Sequence, residues 1–241
     1  MRALVLSDIH ANLVALDAVL AAAPAVDEVW QLGDVVGYGP DPDGVVDRLR
    51  EIGAIGVRGN HDAAALGGDE IESFNVDARR AMEWTRSTIS DTTRAWLSAL
   101  PERLVRGDWT LVHGSPRDPI WEYITSTAVA RDAFTDLDTP HGLHGHTHVP
   151  IGFLDDDSGE LDVVGPGSGS VLDVGPLRVL LNPGSVGQPR DGIPAASWLV
   201  LDTRADTATW GRTAFDIAAV QTSMEALQLP DRLVERLAYG L

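Results

Sequence analysis

A chain of 241 residues with 44% apolar content can build a full hydrophobic core, as one large domain or two small ones. There is no cysteine, which excludes a disulfide framework, a thiolate metal site and a cysteine nucleophile. There is no lysine either, since all 18 basic residues are arginine, which excludes a Walker-type phosphate loop, Schiff-base chemistry and Ser-Lys dyads. The formal charge of −18 repels a polyanionic duplex, so general nucleic-acid binding is not expected, whereas a small anionic substrate stays open where bound cations reverse the sign locally.

Residues 2–7 read as a buried strand that stops at Asp8-Ile9-His10-Ala11-Asn12. Leu13, Leu16 and Leu20 form one face of a helix starting near Asn12, and Pro24 closes the unit. A second strand over 28–32 ends at Gly33-Asp34-Val35-Val36-Gly37-Tyr38-Gly39. A turn at 41–44 leads to a helix over 44–52. A third strand over 54–57 ends at Arg58-Gly59-Asn60-His61-Asp62. Strands alternating with helices at this spacing predict βαβ units and a largely parallel sheet. Residues 75–99 carry helical patterning, with Leu97 and Leu100 inward and Pro101 as the stop. A strand over 109–112 runs into His113-Gly114-Ser115-Pro116. Residues 115–137 are an insertion with Trp121, Tyr123 and a short helix, and Leu143 leads to Gly145-His146-Thr147-His148.

From 151 to 215 short apolar runs alternate with Gly, Pro and Asp clusters, the texture of hairpins, with strands at 177–181, 198–201 and 207–213. The run Asp155 to Asp157 reads as a solvated turn. The loop from Gly165 to Ser170 is no nucleotide fingerprint, because no helix follows it. Residues 216–228 and 230–239 are expected as helices packed outside the sheet. No internal repeat or domain boundary stands out, so the expectation is a single domain over 1–241. With no leader-like start and no apolar run near about 18 residues, the default is a soluble cytoplasmic protein with no membrane partner.

The polar residues that end the strands carry the chemistry. Asp and His are ligand types for first-row metals, and at spacing two on an extended chain Asp8 and His10 point the same way. By itself such a pair reads equally well as a helix cap beside a surface histidine. Three strands and two further strand-like runs each end in potential ligands, and sites in open α/β sheets form outside the carboxyl ends of strands. Five of the seven histidines lie in these motifs: His10, His61, His113, His146 and His148. His141 and His144 have no evident partner and read as structural residues.

The ordered set Asp-x-His, Gly-Asp, Gly-Asn-His-Asp, His-Gly and Gly-His-Thr-His resembles the calcineurin-like metallophosphoesterases. The start, Asp8-Ile9-His10-Ala11-Asn12-Leu13, and the late Asn182-Pro183-Gly184-Ser185-Val186-Gly187 are most similar to the small bacterial and archaeal phosphodiesterase-type members. The resemblance spans residues 8 to 187. It implies an α/β fold, a four-layer αββα sandwich of two mixed sheets flanked by helices. It also implies two divalent transition ions, Mn favoured over Fe, Ni, Co or Zn. By the same resemblance Asp8, His10 and His148 hold the first ion, Asn60, His113 and His146 the second, and Asp34 bridges them. The chemistry agrees: these are nitrogen and oxygen donors with no soft ligand, and one carboxylate can bridge ions about 3.5–4 Å apart.

The implied reaction is hydrolysis of a small phosphodiester or phosphomonoester by a water shared between the ions. His61 faces the leaving group as general acid or as hydrogen-bond donor. Asp62 reads as an orienting partner of His61 or as a helix N-cap. The chain lacks the Asp-Arg-Gly that follows Gly-Asp in the protein-phosphatase members, so the phosphate grip falls to the metals or to Arg58, Arg117 or Arg190. Tyr38, Trp121 and Tyr123 are candidates for stacking on an aromatic leaving group, or for packing. The alternatives are a dinucleoside polyphosphate hydrolase, a protein phosphatase, and, in another class, a non-catalytic scaffold of the same fold.

Overall fold

The computed structural model describes residues 1–241 except the side chains of Asp69 and Glu70. In chain order the elements are β1 (Arg2–Leu6), α1 (Leu13–Ala22), β2 (Glu28–Gln31), α2 (Pro42–Glu51), β3 (Ile55–Gly56), α3 (Asn60–Leu66), α4 (Val76–Thr88), α5 (Asp91–Ala99), β4 (Arg103–Arg106) and β5 (Trp109–Val112). There follow α6 (Thr127–Thr135), β6 (His141–Leu143), β7 (Ile151–Asp155), β8 (Leu161–Val164), β9 (Val171–Asp173), β10 (Arg178–Asn182), β11 (Ala196–Asp202), β12 (Thr207–Thr213), α7 (Ile217–Ala226) and α8 (Asp231–Glu235). Two six-stranded sheets result, in the orders β3-β2-β1-β11-β12-β9 and β4-β5-β6-β10-β7-β8. Each contains three parallel strands, β3–β2–β1 along one edge of the first sheet and β5–β6–β10 in the middle of the second, with antiparallel strands making up the rest. The expected sandwich of two mixed sheets flanked by helices is the architecture observed.

Strand alternation builds the layers. On β1, Ala3 and Val5 point between the sheets, where they meet Trp30, Leu111, Leu143, Leu181, Leu199 and Trp210. Leu4 and Leu6 point the other way, onto Leu16, Val19, Val45, Val46 and Leu49 of α1 and α2. Burial on both faces explains why β1 reads as a continuous apolar run. The second sheet is covered by α6 through Ala130, Ala133 and Phe134 packed on Phe153 and Leu180.

The helices start where side chains satisfy free backbone N–H groups. Asn12 caps α1 through Ala15 N, Asp41 caps α2 through Gly44 N, Ser90 caps α5 and Ser126 caps α6. With Pro42 in its first turn, α2 begins two residues before the expected 44. The helical stretch 75–99 is broken at Ile89–Ser90 into α4 and α5. As expected, α7 and α8 are among the helices outside the sheets, and their apolar residues pack on α4. Val220, Met224, Leu233 and Leu237 pack with Ala78 and Ala81 of α4 and with Tyr38, so the C-terminal helices back the loop after β2. No helix among the described residues is long and apolar enough to cross a membrane.

Candidate metal centre

The carboxyl ends of β1, β2, β3, β5 and β6 lie on one edge of the sandwich, and each delivers its motif there. Asp8, His10, Asp34 and His148 bring ligand atoms within 4.8 Å of one another, and so do Asp34, His113 and His146. Asp34 belongs to both groups. Asn60 joins the second through its Oδ1, 3.0 Å from His113 Nε2. The structure therefore gathers all seven candidate ligands, and all are buried.

Asp8 and His10 do not converge by extension. Both are left-handed, with φ of 52° and 49°, and Ala11 follows at 52°. The chain coils tightly off β1 because Asp8 N, His10 N and Ala11 N donate to Gly33, Asp34 and Val35 carbonyls at 3.1, 2.9 and 2.9 Å. Asp34, His146 and His148 are also left-handed, at 52°, 67° and 60°. Such backbone costs about 1–3 kcal/mol per residue and persists only where its surroundings enforce it. Glycine completes the assembly: Gly33 (φ 87°) and Gly59 meet face to face, and a Cβ on Gly59 would overlap Asp34. That close approach sets Asp34 beside Asn60 and His61.

Four histidines each place one ring nitrogen on a backbone carbonyl: His10 Nδ1 on Val36 (3.3 Å), His148 Nδ1 on Gln188 (2.6 Å), His113 Nδ1 on Leu32 (2.9 Å) and His146 Nε2 on Trp121 (3.2 Å). A carbonyl only accepts, so these nitrogens carry the proton and a neutral ring has a bare lone pair at its other nitrogen. His10 Nε2 and His148 Nε2 are 3.1 Å apart, two lone pairs facing each other. Asp8 Oδ1, 3.3 Å from His148 Nε2, is buried without a hydrogen-bond partner. Asp8 Oδ2 is occupied by Ser7 Oγ (2.6 Å) and His146 N (3.1 Å). Asp34 is divided likewise: Oδ1 accepts from His61 N at 2.8 Å, and Oδ2 lies between His113 Nε2 (3.4 Å) and His10 Nε2 (3.7 Å). At His10, His148 and Asp8 the convergent lone pairs have no donor among them and are held from behind, which is what a cation requires.

The electrostatics point the same way. Burial holds His10, His146 and His148 neutral, with His146 pushed down to about 3. Burial would also lower His113, but the Asp34 and Asp8 carboxylates override it and raise the ring to about 9. Burial would raise both carboxyls, and the surrounding imidazoles instead hold them below their usual range. The centre of the site calls for positive charge.

His61 stands apart from the ligands. Its ring sits edge-on to His10 (4.9 Å), between Tyr38 (4.3 Å) and Phe74 (4.7 Å), with Nδ1 3.2 Å from Met82 Sδ. Burial lowers it to about 4, so it is a neutral N–H donor at pH 7. Asp62 is neither its orienting partner nor an N-cap. It lies inside the first turn of α3, whose cap position is Gly59. It accepts from Gly59 N (2.9 Å), Val35 N (2.9 Å) and Val36 N (3.1 Å), tying the α3 N-terminus to the Asp34 loop.

A sixth strand end, that of β10, braces the site, a role not visible in the sequence. Asn182 Nδ2 donates to Gly145 O (2.7 Å) and Thr147 Oγ1 (3.1 Å), Ser185 Oγ to Asp8 O (2.8 Å), and Gln188 O takes the His148 proton. The Asn-Pro-Gly-Ser signature was the available signal. Of the aromatic candidates, Tyr38 is buried packing against His10 and His61. Tyr123 is 48% exposed and stacked on His146 at 3.6 Å, at the mouth of the site.

A family model, the calcineurin-like phosphoesterase superfamily domain, matches residues 1–206. The chain belongs to the calcineurin-like phosphoesterase superfamily. A metallophosphoesterase from Sphaerobacter thermophilus is 45% identical in its crystal structure, superposes with a TM-score of 0.92, and the match covers 100% of this chain and 99% of that one. An uncharacterized protein of Methanocaldococcus jannaschii is 35% identical over 98% of this chain and 97% of its own length. A symmetrical bis(5'-nucleosyl)-tetraphosphatase of Pectobacterium carotovorum is 31% identical over 138 residues, 55% of this chain and 49% of that protein.

Proposed function

We propose that the chain is a metal-dependent phosphoester hydrolase with a dinuclear centre. Asp8, His10 and His148 would hold one ion and Asn60, His113 and His146 the other, with Asp34 common to both groups. The observation that carries this reading is the His10–His148 pair, two lone pairs 3.1 Å apart beside the unpartnered Asp8 Oδ1. Such a buried arrangement is repulsive without a cation and favourable with one. Nitrogen and oxygen donors without sulfur suit Mn, Fe, Co, Ni or Zn, and Mn is the first to test. Bound ions supply Lewis-acid charge, acidifying a water and neutralising phosphoryl oxygens.

The chain's own residues do the rest. His61, neutral and anchored by its backbone N–H on Asp34, presents a ring N–H to the departing oxygen. Ser7 and the carbonyls behind the histidines fix which lone pairs face inward. The half-exposed Tyr123 ring suits an aryl or nucleoside group at the mouth. The substrate class is a small phosphodiester or phosphomonoester. Retention of all seven ligands and of His61 argues against the scaffold reading.

The test is hydrolysis of an aryl phosphodiester and the matching monoester by metal-stripped protein given each ion in turn. Turnover restored by a transition ion and abolished in Asp34→Asn supports the reading. No turnover with any ion contradicts it. A second reading, hydrolysis of dinucleoside polyphosphates, is favoured by the similarity to the tetraphosphatase. Cleavage of a dinucleoside tetraphosphate faster than of both aryl esters would select it.

A further inference from the structure

Arg190 is the exception among the arginines near the site. In a chain with 36 acidic residues and 18 arginines, a guanidinium near a buried centre would ordinarily find a carboxylate. Arg58 pairs with Glu102 at 3.0 Å, and Arg117 with Glu122 and, at 2.9 Å, Asp132. Arg117 is committed to surface ion pairs and Arg58 to one through its Nη2, although the Nε of Arg58 is also buried without an acceptor. Among the described residues no carboxylate pairs with Arg190. Its Nη2 donates to Gln188 Oε1 at 3.0 Å, and its Nε is buried with no acceptor at all.

Its position is fixed by the site itself. Arg190 N donates to the carbonyl of His148 at 3.4 Å, and Gln188, which anchors the guanidinium, gives its own carbonyl to His148 Nδ1. The guanidinium carbon lies 5.8 Å from the centre of the Tyr38 ring, and that ring lies 4.3 Å from His61 and 4.6 Å from His10. A guanidinium with no carboxylate partner, set on Gln188 and over the Tyr38 wall of a phosphoryl-transfer site, is short of one partner: a multi-oxygen anion.

We propose that Arg190 grips the substrate's phosphoryl group, donating the terminal guanidinium N–H groups that Gln188 does not take to phosphate oxygens at the metal centre. The proposal rests on the phosphoesterase reading, and inorganic phosphate is the probe that separates the two. Phosphate binding to the Mn-loaded protein is measured by titration calorimetry and by competitive inhibition of aryl-ester hydrolysis. The variants are Arg190→Gln and Arg190→Lys, with Arg103→Gln, a remote ion-pair residue, as control.

Loss of a charge-assisted, forked contact is expected to weaken phosphate binding and raise KM by ~10- to 100-fold in Arg190→Gln, with Arg190→Lys in between. Bound metal per chain and the melting temperature should stay near wild type. Unchanged phosphate affinity in Arg190→Gln, or a wild type that binds no phosphate, overturns the proposal. A wild type that hydrolyses aryl esters while Arg190→Gln matches it in every constant removes Arg190 and leaves the hydrolase standing. Should Arg190→Gln not fold, Gln188→Met, which frees the guanidinium from its anchor, carries the same test, with weaker phosphate binding expected and unchanged affinity overturning.

Discussion

His61 separates chemistry from metal binding at the level of single residues. It touches Asp34 only through its backbone N–H, and its ring lies against Tyr38, Phe74 and Met82. His61→Asn is therefore expected to lower kcat by about 10²-fold or more while metal content, measured by elemental analysis, stays unchanged. Gly59→Ala should behave in the opposite way. Its methyl group would overlap Asp34 N and Oδ1, displacing the residue shared by both ligand groups. Loss of both bound metal and activity is expected, and a Gly59→Ala protein with full metal content would contradict the placement of Asp34. The ligand residues were legible in the sequence because each is a rare side chain of the right donor type at the end of an apolar run. The backbone that aims them was not. Nothing in Asp-x-His announces left-handed φ at Asp8 and His10, which arises from bonds to the distant Gly33–Val35 loop.

Among the elements, α3 does most to shape the site and was least visible. Its seven residues are too short for a periodic pattern, and its start is fixed by Asp62, which reaches back to Gly59 and across to Val35 and Val36. Three backbone donors share one buried carboxylate, so Asp62→Asn, which keeps the shape but turns an acceptor into a donor, should cost about 1–3 kcal/mol in denaturant unfolding. Activity should fall with it, since the same bonds join the Asn60–His61 turn to the Asp34 loop. Stability and activity both unchanged would show that Asp62 does not hold these loops together. β4 was missed for a related reason: Arg103-Leu104-Val105-Arg106 is a short, half-exposed edge strand with arginine at each end. The parallel units β1–β2–β3 were readable because both their faces are buried. The seat of α7 and α8 on α4 was not, because an apolar helix face does not specify its partner.

For the whole molecule, burying so many imidazoles makes stability depend on pH. His144 is the clearest case: fully buried, it is lowered by burial from an ordinary 6.5 to about 4. Between those values the unfolded chain binds the proton and the folded chain does not. Its contribution is thus complete above pH 6.5 and is lost as pH falls toward 4, by up to about 3 kcal/mol. His144→Leu should flatten the stability profile over this window, by up to one proton's worth of slope. Leucine suits the site because His144 Nε2 already lacks a hydrogen-bond partner, and Asn182 keeps Gly145 and Thr147 as acceptors. An unchanged slope in urea titrations at pH 7, 6, 5 and 4 would contradict a buried neutral His144.

Metal binding acts on the same balance, since ions that bind only the folded chain stabilise it by mass action. The most direct measurement of the central claim is therefore a calorimetric titration of metal-stripped protein with Mn, with aryl-ester turnover followed at each addition. The account predicts two ions bound per chain, a rise in melting temperature, and turnover that appears as the two sites fill and is absent from Asp34→Asn. Binding of one ion or none, or turnover that persists in the stripped protein, would contradict it.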